Sequence, residues 1–205
     1  MGVLMQFANV VLNKANTLSF SINAGDMLVL QLVSQEAKTA AIDMALGDMI
    51  PAQGEVLLQG EPVQAAKPGS IGFIPEMGGL ISNLKTWENV TLPLWYHGKR
   101  QVQPTEESVT RWLARLGLEQ NEWESFMSSP AARLRPAERK MAGVLRGLVL
   151  APQLLVIDAA VFDDVEASLA QAWVAVLEEF VREAEGRAVL VVANTATVLP
   201  WKIIK

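Results

Sequence analysis

Lys38 and Thr39 have the clearest potential for chemistry, because they follow the apolar run 27–33 (MLVLQLV) where a helical pattern begins. A lysine and a hydroxyl residue at such a point end the phosphate-binding loop G-x-x-x-x-G-K-[ST]. In that loop the ammonium meets the β- and γ-phosphates and the hydroxyl meets Mg²⁺. The pair therefore indicates a candidate phosphate site at the end of a buried strand.

The loop that precedes this pair departs from the pattern. Leu32 stands at the first glycine and Ala37 at the second, although the loop needs positive φ angles and bare amides close to phosphate. Glu36 adds a carboxylate where phosphate charge belongs. Taken alone, these residues indicate a plain turn between a strand and a helix. The candidate nucleotide-binding residues are Gln35, Glu36, Ala37, Lys38 and Thr39.

Asp158 is the next candidate, because it follows the apolar run 154–157 (LLVI) at the end of another predicted strand. With a bound Mg-nucleotide, Asp158 and Thr39 would be the metal-binding residues. Without nucleotide, Lys38 and Asp158 would pair with each other at adjacent strand ends, and Glu36 would cap the helix in place of phosphate. We favour this self-neutralised arrangement and keep nucleotide binding as its alternative.

Composition excludes several other kinds of site. The chain has 205 residues, enough for one domain, and a formal net charge of −5, which argues against a nucleic-acid partner. Zero cysteines exclude disulfides, zinc ribbons and a thiol nucleophile. The single histidine, His97, excludes a histidine metal cluster, and residues 97–100 (HGKR) are predicted to form a solvated turn.

Hydrophobic patterning gives no sign of a membrane span or leader. No apolar run approaches the ~20 residues that cross a bilayer, and no basic stretch precedes an apolar region at the N-terminus. We expect a cytoplasmic protein that reaches a membrane only through a partner. Because 51% of the residues are hydrophobic and 19% are charged, the chain can fill a core and leave apolar surface for that partner.

The elements that position these residues follow from hydrophobic periodicity. Runs 27–33, 154–157 and 188–193 lack strict alternation, which is typical of strands buried on both faces of a parallel sheet. Further candidate strands are 5–12, 18–22, 55–59 and 70–74, of which the first two have an antiparallel or edge character. The pattern predicts an α/β fold in one domain, 1–205.

Apolar residues at helical spacing fall between these strands. They predict a helix after Lys38, a second over 109–116 ended by Gly117, a third that begins at Pro136, and a fourth over 169–180 closed by Gly186. We expect a mostly helical subdomain at about 85–151, inserted between two strands of the sheet.

Several motifs in this order resemble the ATPase subunits of ABC transporters. Gly25 and Asp26 resemble the start of the strand before the phosphate loop, and residues 71–76 (IGFIPE) resemble the strand entering the Q-loop, with Glu76 in place of glutamine. Residues 80–90 (LISNLKTWENV) and 92–94 (LPL) are the most specific match. They look closest to the ATPase subunits of MCE-type lipid transporters.

The downstream motifs lie where the family has them, but several of their residues differ from those of the family. Residues 151–158 (APQLLVID) are similar to the Walker B approach and its aspartate, but Ala159 replaces the glutamate that would follow. Asn194 stands where the family has its switch histidine. The region that corresponds to the L-S-G-G-Q signature consists of Leu134, Arg135, Pro136, Ala137 and Glu138.

The resemblance implies a P-loop NTPase-like ABC core, with a mostly parallel sheet, N-terminal antiparallel strands and a helical subdomain. It also implies ATP and Mg²⁺ as cofactors, a transmembrane permease as partner and a homodimer or heterodimer with another ABC ATPase. Such a subunit is peripheral on the cytoplasmic face of the inner membrane. In the family, residues 76–87 correspond to part of the groove that receives the permease.

These differences from the family's motifs argue against ATP hydrolysis by this chain. A missing general base at 159 typically removes about 10²–10⁴ in rate. The first strands offer only Phe7 and Phe20 as aromatics for adenine, and these fit strand cores better. We therefore expect a degenerate, non-hydrolytic subunit of a membrane, and by resemblance lipid, transport complex. The alternatives are a working ABC ATPase and a regulatory scaffold without a transporter.

Overall fold

The computed structural model describes residues 2–13, 16–96, 106–197 and 199–205, so the turn predicted at 97–100 lies outside the described residues. The strands are β1 (Val3–Asn13), β2 (Asn16–Asn23), β3 (Met27–Gln31), β4 (Glu55–Leu58), β5 (Glu61–Pro62), β6 (Ile71–Ile74), β7 (Leu154–Asp158), β8 (Ala188–Ala193) and β9 (Lys202–Ile204). The α-helices are α1 (Gln35–Leu46), α2 (Thr86–Tyr96), α3 (Glu106–Arg115), α4 (Trp123–Ser128), α5 (Pro136–Leu150) and α6 (Ala167–Arg182).

A parallel sheet with the order β6-β7-β8-β3-β9 forms the centre of the fold. Every residue of β7 and β8 is buried, as the unalternating apolar runs predicted. β3 ends at Gln31, two residues earlier than predicted. Leu32 still donates its N–H to the Ala193 carbonyl, but Val33 is 83% exposed, so the chain has left the sheet by that residue.

The N-terminal strands form a second, antiparallel sheet with the order β2-β1-β4-β5. The antiparallel character predicted for the first two strands is confirmed. Phe7 and Phe20 lie opposite each other in the β1–β2 register, and their rings stack at 4.8 Å between centroids. Phe7 is fully buried, so its ring fills the core as predicted.

Four strands and helices were not predicted individually from the sequence, namely β5, α2, α4 and β9. β9 consists of three residues in which the apolar signal is only two isoleucines, and it adds to the edge of the sheet beside β3. α2 contains Pro93, which disguises its helical pattern. Buried Asn89 holds the loop before α2, because its side-chain amide donates to the carbonyls of Ile81, Leu84 and Lys85.

The helices between β6 and β7 share one apolar core with one face of the parallel sheet. Trp112 of α3 and Trp173 of α6 are among its largest buried side chains, and the Trp173 indole donates to the Leu116 carbonyl. α2 and α3 both pack against α5, which begins at Pro136 as predicted. Among the described residues, no helix is long and apolar enough to cross a bilayer.

Candidate nucleotide site

Lys38 and Asp158 form a buried ion pair at the carboxyl edge of the parallel sheet. The Lys38 Nζ lies 2.8 Å from Asp158 Oδ1, and the two residues are 3% and 8% exposed. The predicted pairing is confirmed, but the strands that carry it are not adjacent, because β8 lies between β3 and β7. The pair forms because the long lysine side chain reaches across from the first turns of α1.

Asp158 Oδ1 also accepts the backbone N–H of Ala160 at 3.0 Å. One carboxylate oxygen therefore receives both an ammonium and an amide, which compensates the cost of burying its charge. Breaking such a pair by removing one partner typically costs about 3–5 kcal/mol, because it leaves a charge buried and uncompensated. The same two groups would have to separate before Lys38 could bind phosphate and Asp158 could bind Mg²⁺.

α1 begins without the loop geometry that phosphate binding requires. Its N-cap is Ser34, with φ −144° and ψ 160°, and the Ser34 Oγ accepts the N–H of Ala37 at 3.2 Å. No residue from Leu32 to Thr39 has a positive φ, so the replaced glycines cause no strain here. The cap expected from Glu36 comes instead from Ser34, and Glu36 lies exposed in the first turn.

Gln35 links the end of β8 to α1. The Asn194 Nδ2 donates to Gln35 Oε1 at 3.1 Å, and the Gln35 Nε2 lies 3.5 Å from the Thr39 Oγ1. Asn194, which the resemblance aligns with the family's switch histidine, thus lies beside the start of α1. A cavity of about 550 Å³ opens next to Asn194, lined by Thr17, Leu18, Gln31, Leu32, Val33, Thr195, Ala196 and Lys205. Among the residues that the structure describes, those that line this cavity include no aromatic ring on which adenine could stack.

The loop that follows Asp158 is held from α5 by a residue that the sequence analysis missed. Buried Lys140 donates from its Nζ to the carbonyls of Ala160 and Asp163. Lys140 lies one turn before Val144 on the apolar face of α5, and that position is the signal that could have revealed it. Ala159 opens the short turn of this loop with only a methyl group, so it cannot act as a general base.

Two oppositely charged residues at the start of α5, Arg135 and Glu138, pair with each other. The Glu138 carboxylate accepts the Arg135 N–H at 2.7 Å and pairs with the Arg135 guanidinium at 2.8 Å. Burial acts to raise the pKa of Glu138, but the hydrogen bonds and charge of Arg135 outweigh it, and the pKa is lowered. Pro136 has no N–H to offer an anion, while Leu134 is buried and Ala137 lies in the first turn.

Glu76 is exposed, and the loop after it is clamped to α5 by Arg146. The Arg146 guanidinium donates to the Gly79 carbonyl at 2.6 Å and to the Gly78 carbonyl at 2.8 Å. Burial lowers the pKa of Arg146. Gly143 allows the contact, since a Cβ there would lie 2.4 Å from the Gly78 Cα. This clamp was also missed by the sequence analysis.

In this geometry the site does not fit Mg-triphosphate. Its lysine and aspartate bind each other, Ser34 takes one of the helix amides, and Glu36 adds negative charge at the same helix start. Gln35, Glu36, Ala37, Lys38 and Thr39 all lie in the first turns of α1. Among the described residues, the signature region and Glu76 form no hydrogen bond or ion pair with Lys38 or Asp158.

The model of the ABC transporter family matches residues 15–161, and the chain therefore belongs to the ABC transporter family. Solved structures share the fold at low sequence identity. A putative ABC transporter ATP-binding protein from Pyrococcus furiosus superposes with a TM-score of 0.77 and 13% identity, over 97% of this chain and 95% of that one. The α/β ABC ATPase fold expected from the sequence is confirmed.

Two further structures have titles that describe assembly. CbiO1 from Clostridium perfringens, described as part of the transporter complex cbiONQ, matches with a TM-score of 0.70 and 16% identity, over 94% of this chain and 79% of that one. The ATP-binding cassette MJ0796, described as dimeric and bound to ADP and Pi, matches with a TM-score of 0.73 and 18% identity, over 94% and 88%.

Proposed function

We propose that this chain is a non-hydrolytic subunit of a membrane transport complex, and that it acts by assembly rather than by turnover of ATP. The observation that carries the proposal is the buried 2.8 Å ion pair between Lys38 and Asp158. Because each group neutralises the other, neither the ammonium nor the carboxylate needs a nucleotide or Mg²⁺ as its counterion. A triphosphate would have to break the pair and approach the Glu36 carboxylate.

The residues at the catalytic positions support the same proposal. Ala159 cannot polarise an attacking water, and loss of a general base alone costs about 10²–10⁴ in rate. Asn194 can donate a hydrogen bond, as it does to Gln35, but its amide cannot exchange a proton as an imidazole does. These groups act as one unit in a working enzyme, so their losses need not multiply, yet either is enough to leave a poor ATPase.

We propose the helical segment at about 85–151 as a subdomain inserted in the α/β core. The permease partner would contact residues 76–87. Met77 and Ile81 expose large apolar side chains there. A small cavity of about 170 Å³ opens between Met77 and α5, lined by Met77, Gly79, Leu80, Ser82, Ala131 and Arg139. The hydrogen bonds from Arg146 to Gly78 and Gly79 hold the loop after Glu76, and with it this surface, against α5. The resemblance of residues 80–94 to MCE-type subunits favours a lipid cargo.

The proposal includes a dimer, either of this chain or with a second ABC ATPase, in which the start of α5 faces the phosphate loop of the opposite subunit. The complex would place the chain on the cytoplasmic face of the inner membrane through its permease. The working ABC ATPase is the second candidate, favoured by the retention of Lys38, Thr39 and Asp158. Those three residues meet phosphate and Mg²⁺ in an intact site.

Calorimetry with Mg-ATP separates the two candidates. The proposal predicts no binding heat and no thermal shift at about millimolar nucleotide, for the wild type and for Lys38→Ala alike. The control is Lys67→Ala, which removes an exposed lysine outside the site. Micromolar binding by the wild type would contradict the proposal. Its loss in a Lys38→Ala variant that circular dichroism shows to be folded, with binding kept in Lys67→Ala, would establish a functioning phosphate site.

A further inference from the structure

The end of α2 carries the only two exposed aromatic side chains among the described residues. Tyr96 is 84% exposed and Trp95 is 59% exposed, and Leu92 adds a third apolar side chain that is 37% exposed. These residues are spaced three and four positions apart, so they share one side of the helix. The other side of α2 packs Val90 and Leu94 into the apolar core. We call the exposed set, Leu92, Trp95 and Tyr96, the α2 aromatic face.

The chemistry of the α2 aromatic face suits the interface of a lipid bilayer. Indole and phenol rings combine an apolar body with a polar tip, and membrane proteins place them at the level of the lipid headgroups. A dry contact with another protein would leave the indole N–H and the phenol O–H in need of matched partners. Headgroups and their water supply such partners without a specific geometry. The face therefore has the amphipathic character that a bilayer surface binds.

The sequence directly after this face adds positive charge. Residues 97–100 (HGKR) follow Tyr96 and include Lys99 and Arg100, in a chain whose formal net charge is −5. Basic residues beside an interfacial helix are attracted to anionic lipids. The only acidic residue of α2, Glu88, lies in its first turn, where its carboxylate accepts the N–H of the residue three positions earlier. Charge therefore favours a bilayer that contains anionic lipid.

We propose that the α2 aromatic face binds the surface of an anionic lipid bilayer, with Trp95 and Tyr96 lying among the lipid headgroups. The inference goes beyond the proposed function, in which the chain reaches the membrane only through its permease. α2 begins directly after the loop that follows Glu76, and its 11 residues span only about 16 Å. The lipid contact and the proposed permease contact are therefore close enough to be made together.

Tryptophan fluorescence reports this contact directly. The chain has six tryptophans, all among the described residues, and only Trp95 is exposed. Vesicles of phosphatidylcholine and phosphatidylglycerol in equal amounts should therefore shift the emission to the blue. Brominated phosphatidylcholine in the same vesicles should quench it. Vesicles of phosphatidylcholine alone should bind the chain at least ~10-fold more weakly, because they carry no anionic headgroup.

Removal of the two rings should abolish most of the vesicle binding. Trp95→Ser combined with Tyr96→Ser should lower the vesicle partition coefficient, measured by co-sedimentation, at least ~10-fold. Trp95→Phe combined with Tyr96→Phe keeps two aromatic rings and should restore most of it. The matched control is Met49→Ser with Ile50→Ser, which removes two exposed apolar side chains after α1 and should bind like the wild type. Because all four side chains are exposed, the Tm of each variant should match the wild type.

Removal of the two positive charges supplies an independent measurement. Lys99→Ala combined with Arg100→Ala should remove the preference for anionic vesicles and leave binding to phosphatidylcholine vesicles unchanged. The control is Lys202→Ala with Lys205→Ala, which removes the same charge at β9 and should keep the preference. A preference that both variants keep would contradict the attraction of these two residues to anionic lipid.

A wild-type chain that binds neither kind of vesicle would overturn the inference, as would a Trp95→Ser, Tyr96→Ser variant that binds like the wild type. Loss of co-purification with the permease in that variant, without vesicle binding by the wild type, would make the α2 aromatic face a protein contact and also overturn it. The vesicle assays contain neither permease nor nucleotide. Their failure is therefore distinguishable from failure of the proposed function, which the ATP calorimetry tests.

Discussion

The Lys38 ammonium lies 2.8 Å from the Asp158 carboxylate, although β8 separates the strands that lead to them. Each group is the other's counterion, and the Ala160 amide completes the environment of the same carboxylate oxygen. Two residues that meet phosphate and Mg²⁺ in an intact ABC ATPase thus bind each other in this structure. Residues retained from a catalytic motif are therefore not by themselves evidence of catalysis.

Removal of one partner of this pair should destabilise the fold strongly. We expect Lys38→Met to lower the free energy of unfolding by about 3–5 kcal/mol, because Asp158 is left buried without a counterion. Lys38→Met combined with Asp158→Leu should recover most of that loss, and Lys67→Met should be neutral. Urea denaturation measures all three. A Lys38→Met cost below ~1 kcal/mol would show that the pair does not stabilise the fold.

The sequence was sufficient for the fold because its strongest signals are buried strands. The runs that became β3, β7 and β8 are apolar apart from Gln31 and Asp158 at the ends of β3 and β7, since both faces of the sheet are covered. The order of motifs then indicated the ABC fold. β9 was not predicted because its pairing depends on a neighbouring strand rather than on any local pattern. α2 was not predicted because Pro93 interrupts its helical pattern.

The candidate site was only partly predictable, for a different reason. The pairing of Lys38 with Asp158 followed from charge and from strand ends. Lys140 and Arg146 instead bind backbone carbonyls, and within the described part of the chain neither pairs with a carboxylate. Such contacts depend on where loops pass a helix, and side-chain identity does not reveal that. The cap of α1 was assigned to Glu36 because charge was weighed above the hydroxyl of Ser34, which reaches the Ala37 amide.

The exposed apolar side chains near the clamped loop should be required for partner binding. Met77→Asp and Ile81→Asp should abolish co-purification with the permease of the complex, because a carboxylate would be buried in the contact. Ile50→Asp is the control, since Ile50 is an apolar side chain that is even more exposed but follows α1, outside this surface. The unfolding free energy of all three variants should match the wild type. Permease binding that survives both changes would place the contact elsewhere.

The start of α5 should make stability depend on pH through Glu138. The pKa of this carboxyl is lowered in the folded chain from an ordinary value of 4.5, so its contribution is complete above that value and is lost as the pH falls through the lowered pKa. Glu138→Gln should therefore reduce the Tm at neutral pH and match the wild type once the pH is below the lowered pKa. Thermal unfolding of the variant and the wild type, at neutral pH and at acidic pH, measures this difference in Tm. An equal difference at both pH values would attribute the effect to packing.

The contact between α5 and the loop after Glu76 should tolerate no added methyl at Gly143. A Cβ there would lie 2.4 Å from the Gly78 Cα and 2.8 Å from the Gly78 oxygen, which are backbone atoms with no room to move. We expect Gly143→Ala to destabilise by about 1–3 kcal/mol, despite the better helix propensity of alanine. Hydrogen exchange at residues 76–84 should rise as well.

Gly147→Ala is the matched control for this prediction, one turn further along α5. Its Cβ would meet the ends of the Ile74 and Leu155 side chains at 3.0–3.1 Å, and these can shift by a few tenths of an ångström. Because both variants gain the same helix propensity, the difference between them isolates the backbone contact with Gly78. Equal unfolding free energies for the two variants, with unchanged exchange at 76–84, would mean that the loop is not held against Gly143 in solution.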